Sequence, residues 1–194
     1  MSTEAVTLSY QDWHIPVELD ETTLKQAYRN LESVKAQQQE IPLMVQLVEN
    51  PKFSIPGIRV FHGAVDLKKH DFIHIVLGRG LFPKDEAFTI GFTMGTTNKV
   101  TTTEETLYAL ISKYFYPKVY KFDDADIAIF KDAVRLGYIS NCVALDEFDF
   151  SPYMDTSLRQ LREVLQLEKD LLVAYYKIEK QRYPDSKASQ RLIS

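Results

Sequence analysis

Cysteine is nearly absent: one residue, Cys142, stands in 194. A single thiol excludes an internal disulfide and fits a reducing compartment. Cys142 has no motif around it and reads as an inert buried thiol. Long apolar runs are missing too, because charge interrupts the hydrophobic stretches every few positions, so no segment is expected to span a bilayer. Excess positive charge is absent, since 23 basic residues against 27 acidic ones give −4. The chain therefore lacks the electrostatic footprint of a nucleic-acid binder. There is no glycine-rich phosphate loop; Gly78-Arg79-Gly80 is too short and follows no strand. The first fourteen residues, MSTEAVTLSYQDWH, carry acids and no arginine and resemble neither a secretory signal nor a transit peptide. The expectation is a cytoplasmic protein whose membrane contact, where it has any, is peripheral on the inner face.

What remains is 45% hydrophobic and 12% aromatic, enough for one core without a second domain. Period-two alternation is scarce and helical spacing is frequent, so residues 1–194 read as a single all-α domain, a helical bundle, with irregular tails at 1–19 and 184–194. The β-branched content of 58–62 and 72–77 is the one hint of strand. Trp13 and Pro16 are expected to pack back on the body. A helix is expected from Glu21, capped by Asp20, and a short one from Pro42 to before Pro51. The next should start near Val65 or Asp66 and stop at Gly78 and Gly80 after Leu77, followed by one from about Lys84. Thr102 and Glu105 have capping-box spacing for a helix through Leu107, Leu110, Ile111 and Tyr114 that Pro117 ends or kinks. Asp123 or Asp124 caps a helix ended by Gly137. Residues 140–155 read as loop. Two further helices follow from Thr156, of which the charged segment 163–182 reads as a solvated face, a homodimer arm being the alternative.

The chain has only four histidines, and two fall in His70-Asp71-Phe72-Ile73-His74. On a helix His70 and His74 stand one turn apart on one face, with Asp71 about 100° round. Glu86 follows His74 after eleven intervening residues. Two imidazoles and two carboxylates suit zinc, iron or manganese. Phe72, Ile73, Ile75, Val76 and Leu77 make this helix apolar nearly all round and hence buried. A polar strip on a buried helix is costly unless its groups are satisfied, and a metal satisfies several at once. Taken alone, histidines at i and i+4 are more often surface or helix-terminal residues than ligands. His14 and His62 have no comparable company and read as structural or exposed.

The pattern His-Asp-x-x-His, eleven residues, then Glu resembles the signature of the fourth coenzyme Q biosynthesis protein family, carried here by His70, Asp71, His74 and Glu86. Ala133-Val134-Arg135-Leu136-Gly137 is similar to a small-residue/Arg/Gly segment of that family, and 157–165 to its closing Leu-Arg-x-x-Leu helix. The resemblance covers roughly residues 60–167. It implies an all-α fold, a divalent metal usually taken as zinc, and binding of a prenylated quinone precursor. It also implies association with other quinone-biosynthesis proteins and with the membrane surface. The activity it implies is oxidative removal of the carboxyl group at ring carbon 1 of a polyprenylated hydroxybenzoate, replaced by a hydroxyl. Members commonly have Gly before the ligand Glu; this chain has Asp85 there, leaving Asp85 and Glu86 as rivals for the fourth ligand.

In such a site the metal orients the substrate carboxylate, and Asp71 or Glu86, loosely bound, can serve as the catalytic base. Zinc cannot activate dioxygen by redox chemistry, so hydroxylation requires another oxidant or an ion such as iron. The isoprenoid tail needs an apolar groove, for which the faces carrying Phe88, Phe92 and Met94 or Leu110, Tyr114 and Phe115 are candidates, although each residue singly reads more readily as core. A different class of function is a non-catalytic scaffold that holds a prenyl lipid and organises partner enzymes. A phosphohydrolase of the His-Asp superfamily needs more histidines than His14 and His62 supply.

Overall fold

The computed structural model describes residues 12–35, 62–114 and 121–193. Among these the protein is all-α, with eight α-helices and no strand. They are α1 (Leu24–Lys35), α2 (Leu67–Leu77), α3 (Pro83–Thr96), α4 (Thr102–Tyr114), α5 (Asp124–Ile139), α6 (Leu158–Val164), α7 (Lys169–Arg182) and α8 (Lys187–Gln190). No helix among the described residues is long and apolar enough to cross a membrane. The expected helix from Pro42, the strand hint at 58–61 and the stop at Pro117 lie outside the described residues.

The central pair is α2 and α3, both buried over nearly their whole circumference. Helix α2 starts where Asp66 accepts the Lys69 backbone N–H and ends where Gly78 enters the left-handed region at φ 69°. Its last four carbonyls, unpaired in any helix, are each satisfied. The amides of Arg79 and Gly78 donate to His74 and Ile75, Arg162 Nε donates to Val76 at 2.9 Å, and the Tyr176 hydroxyl donates to Leu77 at 2.6 Å. This full accounting lets a helix end sit in the interior, and it explains why the β-branched run 72–77 is helix rather than strand.

Pro83 opens α3, where a missing N–H costs nothing. Helix α3 then crosses α5 at close range through small residues. A Cβ on Gly91 would overlap the Phe130 carbonyl, one on Gly95 the Val134 carbonyl, and one on Gly137 the Phe92 carbonyl. Gly137 is therefore a packing residue within α5 rather than its terminator. The core is one contiguous cluster joining Trp13, Leu24, Ile73, Leu77, Phe88, Phe92, Phe130, Leu161, Leu172 and Leu192.

Other boundaries shift by local chemistry. Asp20 does not cap α1; it binds Arg162 and Lys169, while Thr23 and Gln26 form the reciprocal cap. Helix α4 is capped by Thr101 with Glu104, one residue earlier than the expected pair. Asp123 caps α5 with Asp126 answering, as one of the two expected candidates. Trp13, Ile15 and Val17 are buried, but Pro16 is exposed. The C-terminal tail is not frayed within the described residues: α8 forms, and Ala188, Leu192 and Ile193 are buried. Nor is the charged α7 merely a solvated face, since Leu172, Tyr175, Tyr176 and Glu179 are buried.

Candidate metal centre

Helix α2 presents His70 and His74 one turn apart, and α3 brings Glu86, in its first turn, to meet them. His70 Nε2 lies 2.9 Å from Glu86 Oε2 and 2.9 Å from His74 Nε2, while His74 Nε2 lies 3.3 Å from the same carboxylate oxygen. Ligands held about 2.0–2.2 Å from one tetrahedral or octahedral ion stand roughly 2.8–3.6 Å apart, so the three atoms have the spacing of a shared coordination sphere. The two Nε2 atoms point at one another's neighbourhood. If both carried protons there, two N–H groups would oppose each other across 2.9 Å, whereas a cation would use both lone pairs and the carboxylate together.

The burial is graded. His74 is 0% exposed, His70 15% and Glu86 21% at the side chain. One side of the cluster thus meets solvent, and three protein donors would leave coordination positions for an exogenous ligand. Although burial pushes the Glu86 carboxyl up, the charges of His74 and His70 outweigh it and hold the group well below the usual carboxylate range. It is therefore an anion at neutral pH, as a ligand must be.

Behind the cluster, His74 Nδ1 lies 3.3 Å from the hydroxyl of Thr89, three residues past Glu86 on α3. With its proton donated there, the ring keeps the Nε2 lone pair aimed at the centre. The Thr89 hydroxyl was not singled out from sequence, though its spacing from Glu86 put it on the same helical face.

Asp71 is 5% exposed and lies outside the group of His70, His74 and Glu86, whose donor atoms all fall within 4.8 Å of one another. Burial, then Glu32, then the Asp71 and Asp66 charges raise the Tyr28 hydroxyl to about 12, which places Asp71 toward α1. Between Asp85 and Glu86 the geometry is unambiguous. Asp85 accepts from the Phe82 amide at 3.1 Å and from Arg191 at 2.7 Å, and Glu86 is the carboxylate on the histidines.

The other expected participants divide. His14 Nε2 donates to the Gly78 carbonyl at 3.1 Å, and His62 Nδ1 pairs with Glu104 at 2.7 Å, so both have structural partners. Cys142 is buried, and burial pushes its thiol to about 12, which leaves it unreactive. Of the two faces considered for an isoprenoid, Phe88, Phe92 and Met94 are core. Leu107, Leu110 and Tyr114 are exposed on α4, beside a cavity of about 370 Å³ lined by Thr102, Thr103, Thr106, Leu107 and Leu110. Phe115 lies outside the described residues.

Comparisons with protein-family models, with curated proteins and with solved structures find no match in any of the three.

Proposed function

We propose that the protein is a metal-dependent enzyme of ubiquinone biosynthesis acting on a polyprenylated hydroxybenzoate-type ring. The observation that carries the metal is the convergence of His70 Nε2, His74 Nε2 and Glu86 Oε2 within 3.3 Å on two buried helices. The substrate class rests on the resemblance of the His70, Asp71, His74, Glu86 pattern to the coenzyme Q family.

In this reading His70, His74 and Glu86 hold the ion, with zinc the first choice on ligand chemistry and iron or manganese also suited. Bound there, it supplies a Lewis acid for the substrate carboxylate. Thr89 fixes the His74 ring, and the buried flanks of α2 and α3 limit access to the one open side. Asp71, although part of the resembling pattern, lies outside the three-donor group and is not placed at the reacting centre. Exchanging a ring carboxylate for a hydroxyl with water as oxygen source releases carbon dioxide, one proton and two electrons, so a two-electron acceptor such as dioxygen must be supplied.

The test is elemental analysis of the purified protein beside a His70→Ala/His74→Ala double variant, followed by assay with a short-chain prenylated 4-hydroxybenzoate. Near-stoichiometric metal in the parent, lost in a folded variant, is expected, together with carbon dioxide release that the double variant lacks. A parent that cannot be loaded with zinc, iron or manganese refutes the metal reading. Metal without turnover selects the alternative, a scaffold that binds a prenyl lipid and organises other quinone-biosynthesis proteins at the membrane surface. The exposed row Leu107, Leu110 and Tyr114 favours that alternative.

A further inference from the structure

The turn between α2 and α3, residues 78–82, sets how Glu86 meets His70 and His74, and it is held from outside by the C-terminal segment. Arg79 is 0% exposed and forks onto Glu179 of α7 at 3.0 and 2.6 Å. Its guanidinium lies between the rings of Phe88, at 3.8 Å, and Tyr176, at 4.4 Å. Arg191, just past α8, runs across Gly80, stacks 4.5 Å from the Phe82 ring and reaches Asp85 Oδ2 at 2.7 Å. The passage depends on Gly80. A Cβ there would coincide with Arg191 Nη2 and would also stand 2.7 Å from the Trp13 carbonyl. Asp85 in turn accepts the Phe82 N–H, which fixes the first turn of α3 one residue before Glu86.

We propose that Arg191, acting through Asp85, is a positioning residue for the metal centre: the C-terminal segment clasps the start of α3 and so sets the affinity of the His70, His74, Glu86 site. This inference rests on the reading of those three residues as metal ligands. The physical argument is one of preorganisation. Three ligand atoms on two separate helices bind an ion tightly only if their separation is held before it arrives, and removing such support costs roughly 10–100-fold in metal affinity elsewhere. Arg191 fixes the turn through one buried carboxylate, one ring and one glycine.

The experiment measures zinc affinity by competition against a chromophoric chelator for the full chain and for Arg191→Ala, Arg191→Lys, Gly80→Ala and the Arg191→Ala/Gly80→Ala pair. Each is accompanied by a melting curve without metal and by hydrogen exchange over 80–90. The expected result is about tenfold weaker binding in Arg191→Ala, the same loss in Gly80→Ala with no further loss in the pair, partial rescue by lysine, and faster exchange in the first turn of α3. Additive losses with exchange that is faster in every helix, rather than in the first turn of α3, would mark a general loss of stability and overturn the clasp. Unchanged affinity in folded Arg191→Ala and Arg191→Lys, with the parent binding zinc, overturns the inference while leaving the metal reading intact. A parent that takes up no zinc overturns both.

Discussion

Glu179→Gln isolates the electrostatics of the buried Arg79 from its packing. The substitution keeps the shape of the side chain and removes its charge. Arg79 and Glu179 are both fully buried, and the Ser189 hydroxyl also donates to Glu179 at 3.0 Å. In the parent the Glu179 charge raises the Arg79 guanidinium although burial opposes it; in the variant a guanidinium still stays protonated at neutral pH, so deprotonation offers no escape. Breaking a buried pair by neutralising one partner costs about 3–5 kcal/mol. Asp85 remains 3.8 Å from Arg79 Nη1 and offsets part of that, so the lower end, about 3 kcal/mol, is expected. For a chain of this size that is a fall of roughly 6–12 °C in Tm. The assay is thermal unfolding with a urea titration to confirm that the m-value is unchanged. A loss below about 1 kcal/mol, the value of an ordinary hydrogen bond, would refute the claim that Glu179 neutralises a buried charge.

Gly95→Ala should destabilise by about 1–3 kcal/mol despite the better helix propensity of alanine, because the new methyl meets the Val134 carbonyl, which belongs to backbone; a more stable variant in the urea titration would contradict the close α3–α5 crossing. His14 supplies a pH dependence: burial lowers its pKa below the ordinary 6.5, with Arg191 and Arg79 adding and Asp85 opposing. The folded state thus binds the proton more weakly than the unfolded one, so stability is present above pH 6.5 and is lost as pH falls through the lower folded value. His14→Gln, which keeps a donor for Gly78, should flatten the fall in urea midpoint between pH 7.5 and 5 in chelator-treated protein, and an unaltered slope would exclude His14 as its source.

The helical nature of this chain was legible in the residues because helix signals are local. Asp66, Gly78 and Asp123 act within a turn of themselves, and each marks a boundary that the structure keeps. The pairing of His70 with His74 was equally local, since four residues of helix bring two side chains to one face whatever surrounds them. Glu86 needed more: eleven intervening residues and a turn of five stand between it and His74.

What only the tertiary structure decided are the choices between neighbours of equal local merit. Asp85 and Glu86 carry the same chemistry one residue apart, and the 100° between them on α3 sends one to Arg191 and the other to the histidines. Asp20 had the right type and place to cap α1, but Arg162 and Lys169, more than 140 residues on, hold it instead. Gly137 has the look of a helix stop, yet it continues α5 because the Phe92 carbonyl leaves no room for a side chain. The polar tail reads as loose in sequence and is fastened in the fold by Arg191 and the buried Leu192. Sequence by itself determined the helices and the face that carries the two imidazoles, since propensity, capping and 3.6-residue periodicity act over a few residues. The fold decided which carboxylate joins them and what holds it there, because those outcomes depend on charges and backbone brought together from opposite ends of the chain.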